Sequence, residues 1–241
     1  MQRGEKHEKQ KIGGSSMRYQ IEGGSLPAVV IQLDAGETIM SELAGRTWAK
    51  GPIETETRGT GGIGKSIGRM FSGESLFMSH YTAKGPAEIG FASSFAGSII
   101  ARELGPGESL ICQKSAFLCS TSGVDLSIFF QKKLGAGFFG GEGFIMQKVT
   151  GPGVVFLELD GYVKEYDLAA GEELVCDTGV LALMDASCKM DIRMVKGLKN
   201  KLFGGEGLVD TVITGPGKAY IQTMSLAHLG GILSPYIVQK K

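Results

Sequence analysis

The sequence is organised around a glycine-rich box, Phe139-Gly140-Gly141-Glu142-Gly143-Phe144-Ile145, and the turn Thr150-Gly151-Pro152-Gly153 that follows it. The pair returns as Phe203-Gly204-Gly205-Glu206-Gly207-Leu208-Val209 with Thr214-Gly215-Pro216-Gly217. A looser copy is Phe71-Ser72-Gly73-Glu74-Ser75-Leu76-Phe77, which Lys84-Gly85-Pro86 closes. The three box glutamates are 68 and 64 residues apart, and so regular a spacing indicates an internal repeat.

A second box has the pattern Leu-x-x-Gly-Glu and recurs with the same period. It begins at Leu33, Leu104 and Leu168, and its glycines are 71 and 64 residues apart. Because both boxes agree, we divide the chain into three β repeats at residues 17–91, 92–157 and 158–226, followed by a C-terminal tail at 227–241. A repeat of this size buries too little surface to be stable alone. We therefore expect the three to form one compact unit around a pseudo-threefold axis.

The composition narrows the class of protein. With 38 glycines among 241 residues, turns are frequent, which favours many short strands over long helices. The 25 basic and 25 acidic residues cancel, so the chain as a whole has no attraction for polyanions. No apolar run reaches the ~20 residues of a membrane-spanning helix, and no signal peptide is visible. We expect a cytoplasmic protein whose residues 1–16 are a disordered leader.

Apolar runs and period-two alternation predict the strands. Strands are expected within Ala28-Val29-Val30-Ile31-Gln32-Leu33, Ile53-Glu54-Thr55-Glu56-Thr57, Val154-Val155-Phe156-Leu157-Glu158-Leu159 and Cys188-Lys189-Met190-Asp191-Ile192-Arg193-Met194. Short apolar stripes with helical spacing precede two of the glycine-rich boxes. They comprise Ile63, Ile67, Met70 and Phe71 in the first repeat and Val195, Leu198, Leu202 and Phe203 in the third. The pattern predicts an all-β fold with few short helices.

These features resemble a known family, the bacterial and archaeal proteins of unknown function related to the mitochondrial-biogenesis, or altered-inheritance-of-mitochondria, family. The matching pieces are Ile21-Glu22-Gly23-Gly24, the two repeated boxes with their Gly-Pro turns, and Gln222-Thr223, so the resemblance covers residues 17 to about 226. It implies three tandem double-stranded β-helix-like repeats, a jelly-roll variant similar to the tryptophan RNA-binding attenuation protein. The resemblance supplies no catalytic residue.

One segment, Gly59-Thr60-Gly61-Gly62-Ile63-Gly64-Lys65-Ser66, matches the phosphate-binding pattern G-x-x-x-x-G-K-[ST]. In a true phosphate-binding loop, backbone N–H groups and a full helix N-terminus hold the phosphates. The context argues against this function, because the helix after Ser66 must end within about two turns, before Ser72-Gly73. The strand before it also alternates Ile, Glu and Thr, whereas a central parallel strand is continuously apolar. Nucleotide binding here ranks third among the hypotheses.

A basic segment precedes each glycine-rich box. Each segment carries two or three cations on a short amphipathic element, which suits an anionic lipid surface, a nucleic-acid backbone or an acidic partner. In the alternative interpretation, which we favour, the stripe covers the end of each β unit and the lysines are its solvated side. The predicted ligand- or partner-binding residues are Lys65, Arg69, Lys132, Lys133, Lys196, Lys199 and Lys201.

The other reactive side chains form no catalytic pattern. Cys112 and Cys176 occupy equivalent places, with Ser41 as their counterpart, which favours a structural role over a nucleophile. The cysteine spacing does not suit a metal site. Both sets of repeated glutamates stand beside glycine turns, where a carboxylate more often accepts backbone N–H bonds than acts as an acid. They are Glu74, Glu142 and Glu206 of the glycine-rich boxes and Glu37, Glu108 and Glu172 of the Leu-x-x-Gly-Glu boxes. His80 and His228 are isolated, so a hydrolytic triad has no support.

We therefore predict a protein that is not an enzyme, a β-scaffold for binding or assembly without cofactor or metal. Self-association is expected, and a protein partner or an anionic surface are further expected targets. The alternative is a polyanion binder that acts through the seven cations. The single Trp48 offers no repeated aromatic platform for stacking bases, which weakens an RNA-binding function.

Overall fold

The computed structural model describes residues 17–43, 45–59, 77–132, 143–194, 209–224, 226–233 and 236. Strands dominate this part of the chain, and the predicted all-β fold is confirmed. The strands are β1 Arg18–Glu22, β2 Ala28–Leu33, β3 Thr38–Glu42, β4 Trp48–Lys50, β5 Ile53–Gly59, β6 Phe77–Ala83, β7 Ala87–Ala92, β8 Gly97–Leu104, β9 Ser109–Gln113, β10 Phe117–Thr121, β11 Asp125–Lys132, β12 Phe144–Thr150, β13 Gly153–Asp160, β14 Val163–Leu168, β15 Glu173–Asp177, β16 Leu181–Asp185, β17 Lys189–Met194, β18 Val209–Thr214 and β19 Gly217–Gln222.

Within the described residues, two short helices accompany the strands. A 3₁₀ turn, Lys114–Ala116, lies between β9 and β10, and an α-helix, α1, spans Leu226–Leu233. Neither helix is long and apolar enough to cross a membrane, as far as the described residues show. The two predicted amphipathic stripes lie outside the described residues, so α1, in the predicted tail, is a helix that the sequence patterns did not indicate.

The chain divides into two compact units. The first contains the described residues of Met1–Glu108, Phe117–Val124 and Gly151–Glu158. Its two sheets have the strand orders β1-β2-β7-β4 and β5-β6-β3-β10-β13-β8. One apolar core draws buried side chains from both sheets, including Ile31 and Phe91 from one sheet and Phe156 from the other. The Tyr19 and Phe156 rings meet edge to face at 4.9 Å, a favoured geometry for aromatic pairs.

The second unit contains the described residues of Ser109–Ala116, Asp125–Thr150 and Leu159–Lys241. Its sheets have the orders β11-β12-β9-β16-β19-β14 and β15-β18-β17. The core again joins both sheets, with Phe144, Met146 and Leu181 from the larger sheet and Ile213 from the smaller one.

The same strand triplets recur through these sheets. One kind of triplet is β2-β7-β4, β8-β13-β10 and β14-β19-β16, and the other is β5-β6-β3, β11-β12-β9 and β17-β18-β15. Each six-stranded sheet joins one triplet of each kind, through β3 beside β10 and through β9 beside β16. The division into three repeats and their pseudo-threefold packing stay predictions.

Candidate functional site

The glutamates of the Leu-x-x-Gly-Glu boxes stabilise turns. The carboxylates of Glu37, Glu108 and Glu172 each accept a hydrogen bond from the backbone N–H three residues earlier, at 2.7, 2.9 and 2.9 Å. The glycine before each glutamate has φ of 91°, 77° and 81°, a left-handed conformation that glycine adopts without steric cost. The predicted structural role of these glutamates is confirmed, and the carboxylates are used by the fold.

The Gly-Pro turns pack directly against the Leu-x-x-Gly-Glu turns. Gly151 donates its N–H to the Glu108 carbonyl at 2.9 Å, and Gly215 donates to the Glu172 carbonyl at 3.0 Å. A Cβ on Gly151 would lie 2.5 Å from two backbone oxygens of residues 104 and 105, which is closer than real carbons approach. In the first repeat Ala83, two residues before Gly85, makes the equivalent bond to Glu37 at 2.9 Å. The Gly-Pro turns and the Leu-x-x-Gly-Glu turns are therefore two sides of one packing contact.

The predicted basic binding segments fall almost entirely outside the described residues. Lys132 is the exception, because it ends β11 and lies opposite Phe144 of β12. The segments connect β5 to β6, β11 to β12 and β17 to β18, so each joins two antiparallel neighbours. The predicted residues outside the described part of the chain are Lys65, Arg69, Lys133, Lys196, Lys199 and Lys201, together with the box glutamates Glu74, Glu142 and Glu206.

The phosphate-loop match begins at the end of an edge strand. Gly59 is the last residue of β5, and β5 lies at the margin of its sheet, antiparallel to β6. The residues from Thr60 to Ser66 lie outside the described part of the chain. A phosphate-binding loop follows a strand of a βαβ unit, which is parallel and buried on both faces. The strand context thus argues against nucleotide binding, as the alternation of Ile, Glu and Thr indicated.

The cysteines are packed as apolar residues. Burial raises the pKa of the Cys119 thiol well above its usual value. Burial, with a smaller contribution from Asp177 and Asp210, raises the pKa of Cys176 to about 12. Because the thiolate is the nucleophile and the metal ligand, these shifts favour a structural role. Within the described residues, no group of three or more His, Cys, Asp or Glu side chains could hold a metal ion.

His80 lies in β6 opposite Glu56 of β5 and Met40 of β3. Burial, and secondarily the Arg58 charge, lower the pKa of the imidazole, while Glu56 opposes the shift. Arg58 is engaged by the Glu56 carboxylate in an exposed ion pair. The histidine is therefore neutral at pH 7 and lies on a β-sheet among residues that pair with one another, which does not suit general acid catalysis.

A buried amide network in the second unit was not anticipated from the sequence. The Gln222 amide donates to Gln113 Oε1 at 3.1 Å and to the Gly179 carbonyl at 3.4 Å, and its Oε1 accepts from the Asp160 N–H at 3.0 Å. Such a hydrogen-bonded network rigidifies the core and specifies a unique packing. A glutamine inside the apolar strand β19 was the available signal.

Strands β15 and β4 are more exposed than the equivalent strands of the other triplets. In β3 and β9 the three central residues are buried, whereas in β15 Val175 is 53% exposed. Likewise β10 and β16 are mostly buried, whereas all three residues of β4 are exposed. Neither edge was among the predicted sites. The available signal was the shortness of Trp48-Ala49-Lys50 compared with the apolar runs of β10 and β16.

Comparisons with known proteins agree with the family resemblance. An uncharacterized protein of Streptococcus pyogenes serotype M6 is 27% identical over 236 residues, which cover 94% of each chain. An X-ray crystal structure of another Streptococcus pyogenes protein superposes with a TM-score of 0.72 at 24% identity, over 92% of this chain and 100% of that one, which shows a shared fold. The model of the family described as mitochondrial biogenesis AIM24 matches residues 19–224. The match spans most of the chain, and this protein therefore belongs to the mitochondrial biogenesis AIM24 family.

Proposed function

We propose that the protein is a non-enzymatic β-scaffold that assembles with copies of itself and presents its surface to partners. The observation that carries this proposal is that the recurring reactive groups serve the fold. Glu37, Glu108 and Glu172 hold turns, and the thiols of Cys119 and Cys176 have raised pKa values that keep them protonated. A group that holds a backbone turn three times in one chain is not free to activate a substrate.

Exposed apolar side chains support a binding role. Within the described residues, large hydrophobic side chains that stay accessible include Trp48, Val175, Phe129, Tyr162 and Tyr166. Single exposed hydrophobic residues are common on proteins, but several on strands near sheet edges favour contact with another protein.

The test is the molecular mass in solution. Size-exclusion chromatography with light scattering over a wide range of concentrations is expected to show species heavier than the 25.5 kDa monomer, increasing with concentration. A mass that stays monomeric at every concentration would contradict the self-assembling scaffold. Lys164→Gln, which removes one exposed charge in β14, serves as a control for general charge effects on the measured mass.

The second candidate function is polyanion binding through Lys65, Arg69, Lys132, Lys133, Lys196, Lys199 and Lys201. What favours it is that each basic segment joins the same two strands of its triplet, β5 to β6, β11 to β12 and β17 to β18. Retention on a heparin column is expected to decrease with salt and to be lost when all seven cations become Gln. Retention that does not depend on salt would exclude this function.

Nucleotide binding by the Gly59-Thr60-Gly61-Gly62-Ile63-Gly64-Lys65-Ser66 segment is the third candidate, and it rests on the sequence match alone. Titration calorimetry with ATP and Mg²⁺ is expected to show no saturable heat. Saturable heat that Lys65→Ala abolishes would overturn this ranking. The cytoplasmic location and the absence of a cofactor likewise remain predictions from the sequence.

A further inference from the structure

A recurring contact joins two strand triplets within each six-stranded sheet. Among the described residues this contact occurs twice, although the chain has strands for a third. The joining strands are β3 beside β10 and β9 beside β16. Each of β3 and β9 follows a Leu-x-x-Gly-Glu turn, and β15 follows the same turn. Yet β15 ends its sheet, with β18 as its single neighbour among the described strands. The joint that β3 and β9 make is therefore open at β15.

The complementary edge is β4. It occupies the end of the triplet β2-β7-β4, the place that β10 and β16 occupy in the other two triplets. Its residues pair with β7 as those of β16 pair with β19: Ala49 lies opposite Ile89, and Met184 lies opposite Ala219. On its other side, however, β4 has no neighbouring strand within the described residues. One strand edge of each kind is thus left over.

We propose that β4 of one molecule pairs antiparallel with β15 of a second copy, which completes the third joint between chains. This inference rests on the proposed self-assembling scaffold and names the surface that performs the assembly. The pairing merges the β1-β2-β7-β4 sheet of one copy with the β15-β18-β17 sheet of the next into seven strands. Such a contact uses two different surfaces, so it is head-to-tail.

The register of this pairing follows from the existing joints. In them, Thr121 lies opposite Ile39 and Ser120 opposite Met40, while Leu183 lies opposite Cys112. Counting from the turn glutamate and from the β7, β13 and β19 pairings, the equivalent contacts place Lys50 opposite Leu174, Ala49 opposite Val175 and Trp48 opposite Cys176. The joints within the chain are equally short, with two and three matched residues.

The exposure of apolar side chains on the two edges fits a second copy as the occupant. The counterparts of Val175 in β3 and β9 are Met40 and Ile111, which are 7% and 1% exposed and lie opposite residues of β10 and β16. Val175, at 53%, and Trp48, at 36%, are exposed apolar groups on an open edge. Open edges of this kind are templates for another strand. Glu173 of β15 is already paired with Arg193 of β17, through hydrogen bonds of 2.9 and 2.7 Å, so the fit of the two edges rests on their exposed apolar groups.

The position of Trp48 provides a spectroscopic probe of the pairing. Its ring covers Gly90, where a Cβ would come within 2.1 Å of the indole. Because Trp48 is the single tryptophan of the chain, all tryptophan emission reports on the β4 edge. Emission is expected to shift to shorter wavelength as the concentration rises and the strand of a second copy covers the ring.

The decisive experiment is cross-linking between two different single variants. Ala49→Cys and Val175→Cys, each in a Cys176→Ser background, are mixed and oxidised; directly opposed Cα atoms of antiparallel strands are ~4.5–5.5 Å apart, within disulfide range. A disulfide-linked dimer containing one copy of each is expected, since such a bond can form only between chains. Val175→Glu is expected to weaken association at least about tenfold, whereas Leu26→Glu, at an exposed position between β1 and β2, leaves it unchanged.

The possible results distinguish a wrong β4–β15 pairing from a wrong scaffold proposal. If light scattering shows oligomers but the mixed variants do not cross-link and Val175→Glu leaves the mass unchanged, the β4–β15 pairing is wrong while the scaffold proposal stands. If the wild-type protein is monomeric at every concentration and Trp48 emission does not shift, both proposals are overturned. Far-ultraviolet circular dichroism of each variant confirms that it is folded, and Val175→Thr replaces Val175→Glu if the charged variant does not fold.

Discussion

Strands β9 and β15 begin in the same way and end in different environments. Both follow a Leu-x-x-Gly-Glu turn, with Glu108 and Glu172 bonded to the same backbone position at 2.9 Å. Both pair antiparallel with one neighbour, β12 or β18. Only β9 has β16 on its other side, and Ile111 is 1% exposed where Val175 is 53% exposed. The turn is therefore set locally, whereas the second neighbour of the strand comes from a part of the chain distant in sequence.

The largest difference between the two strands is expected on truncation of the corresponding side chains. Ile111→Ala should lower the free energy of unfolding by about 3 kcal/mol, because it leaves a cavity in a closed core. Val175→Ala should lower it by less than about 0.5 kcal/mol, because the side chain stays largely in water. Urea unfolding followed by circular dichroism, at a concentration where the protein is monomeric, measures both. Equal losses would show that the two environments do not differ.

A smaller loss of stability is expected from substitutions in the Gly-Pro turns that pack against the turns before β9 and β15. The loss should be equal at the two turns. Gly151→Ala and Gly215→Ala each place a methyl group within 2.5 Å or less of backbone oxygens, at residues 104 and 105 or at Ala169. Each should lower the free energy of unfolding by about 2 kcal/mol, since the backbone must move. The melting temperatures of both variants test this, with Gly230→Ala, which meets no atom within 4 Å, as the control. A large effect at only one turn would break the equivalence of the two regions.

Loss of the turn hydrogen bond is expected to cost less. Glu108→Ala and Glu172→Ala each remove an acceptor for an exposed backbone N–H, and each should destabilise by about 1 kcal/mol because water replaces the carboxylate. The measurement is the shift of the urea midpoint for each variant, and Glu22→Ala in β1, an exposed carboxylate away from these turns, is the control. If Glu172→Ala alone were neutral, the β15 turn would be held by something else.

The smallest effect is expected in the alkylation of the Cys176 thiol in β15. It leaves the free energy of unfolding at neutral pH unchanged. Because burial raises the pKa of Cys176 to about 12, its alkylation by iodoacetamide in the folded protein should rise about tenfold per pH unit from pH 7 to 9 without a plateau. The raised pKa stabilises the folded state fully below the unfolded thiol pKa near 9, and that contribution is lost as the pH rises toward about 12.

Peptide mapping by mass spectrometry follows this reaction, and Cys176→Ser removes the signal. Cys112, buried in β9, should react only on unfolding. A plateau in Cys176 alkylation near pH 8 would show that the thiol is not buried in the way described.

Much of the local structure was predictable because it depends on neighbours in the chain. The run at residues 28–33 forms β2 over the predicted residues, and the alternating Ile53-Glu54-Thr55-Glu56-Thr57 lies within β5. The turn role of Glu108 followed from its place beside Gly107, which needs φ of 77°. Periodicity and turn chemistry act over a few residues, so the sequence records them directly.

The candidate site was not predictable in this way. The seven cations were chosen from a pattern and only Lys132 falls among the described residues, at the end of β11. The three central residues, Leu174-Val175-Cys176 and Leu110-Ile111-Cys112, look alike, and the local signal of exposure is in the flanks, where Glu173 and Asp177 share the face of Val175. The sequence pattern does not show that β16 lies beside β9 while β15 has β18 as its single described neighbour.

The sequence by itself determined the repeated turns, the strands and the family, because each depends on residue types within a short window. The tertiary structure decided how the triplets join, through β3 beside β10 and β9 beside β16. The physical reason is that a strand edge offers the same N–H and C=O groups whatever its sequence. Which partner satisfies those groups, and which edge is left open, depends on pairing between residues tens of positions apart.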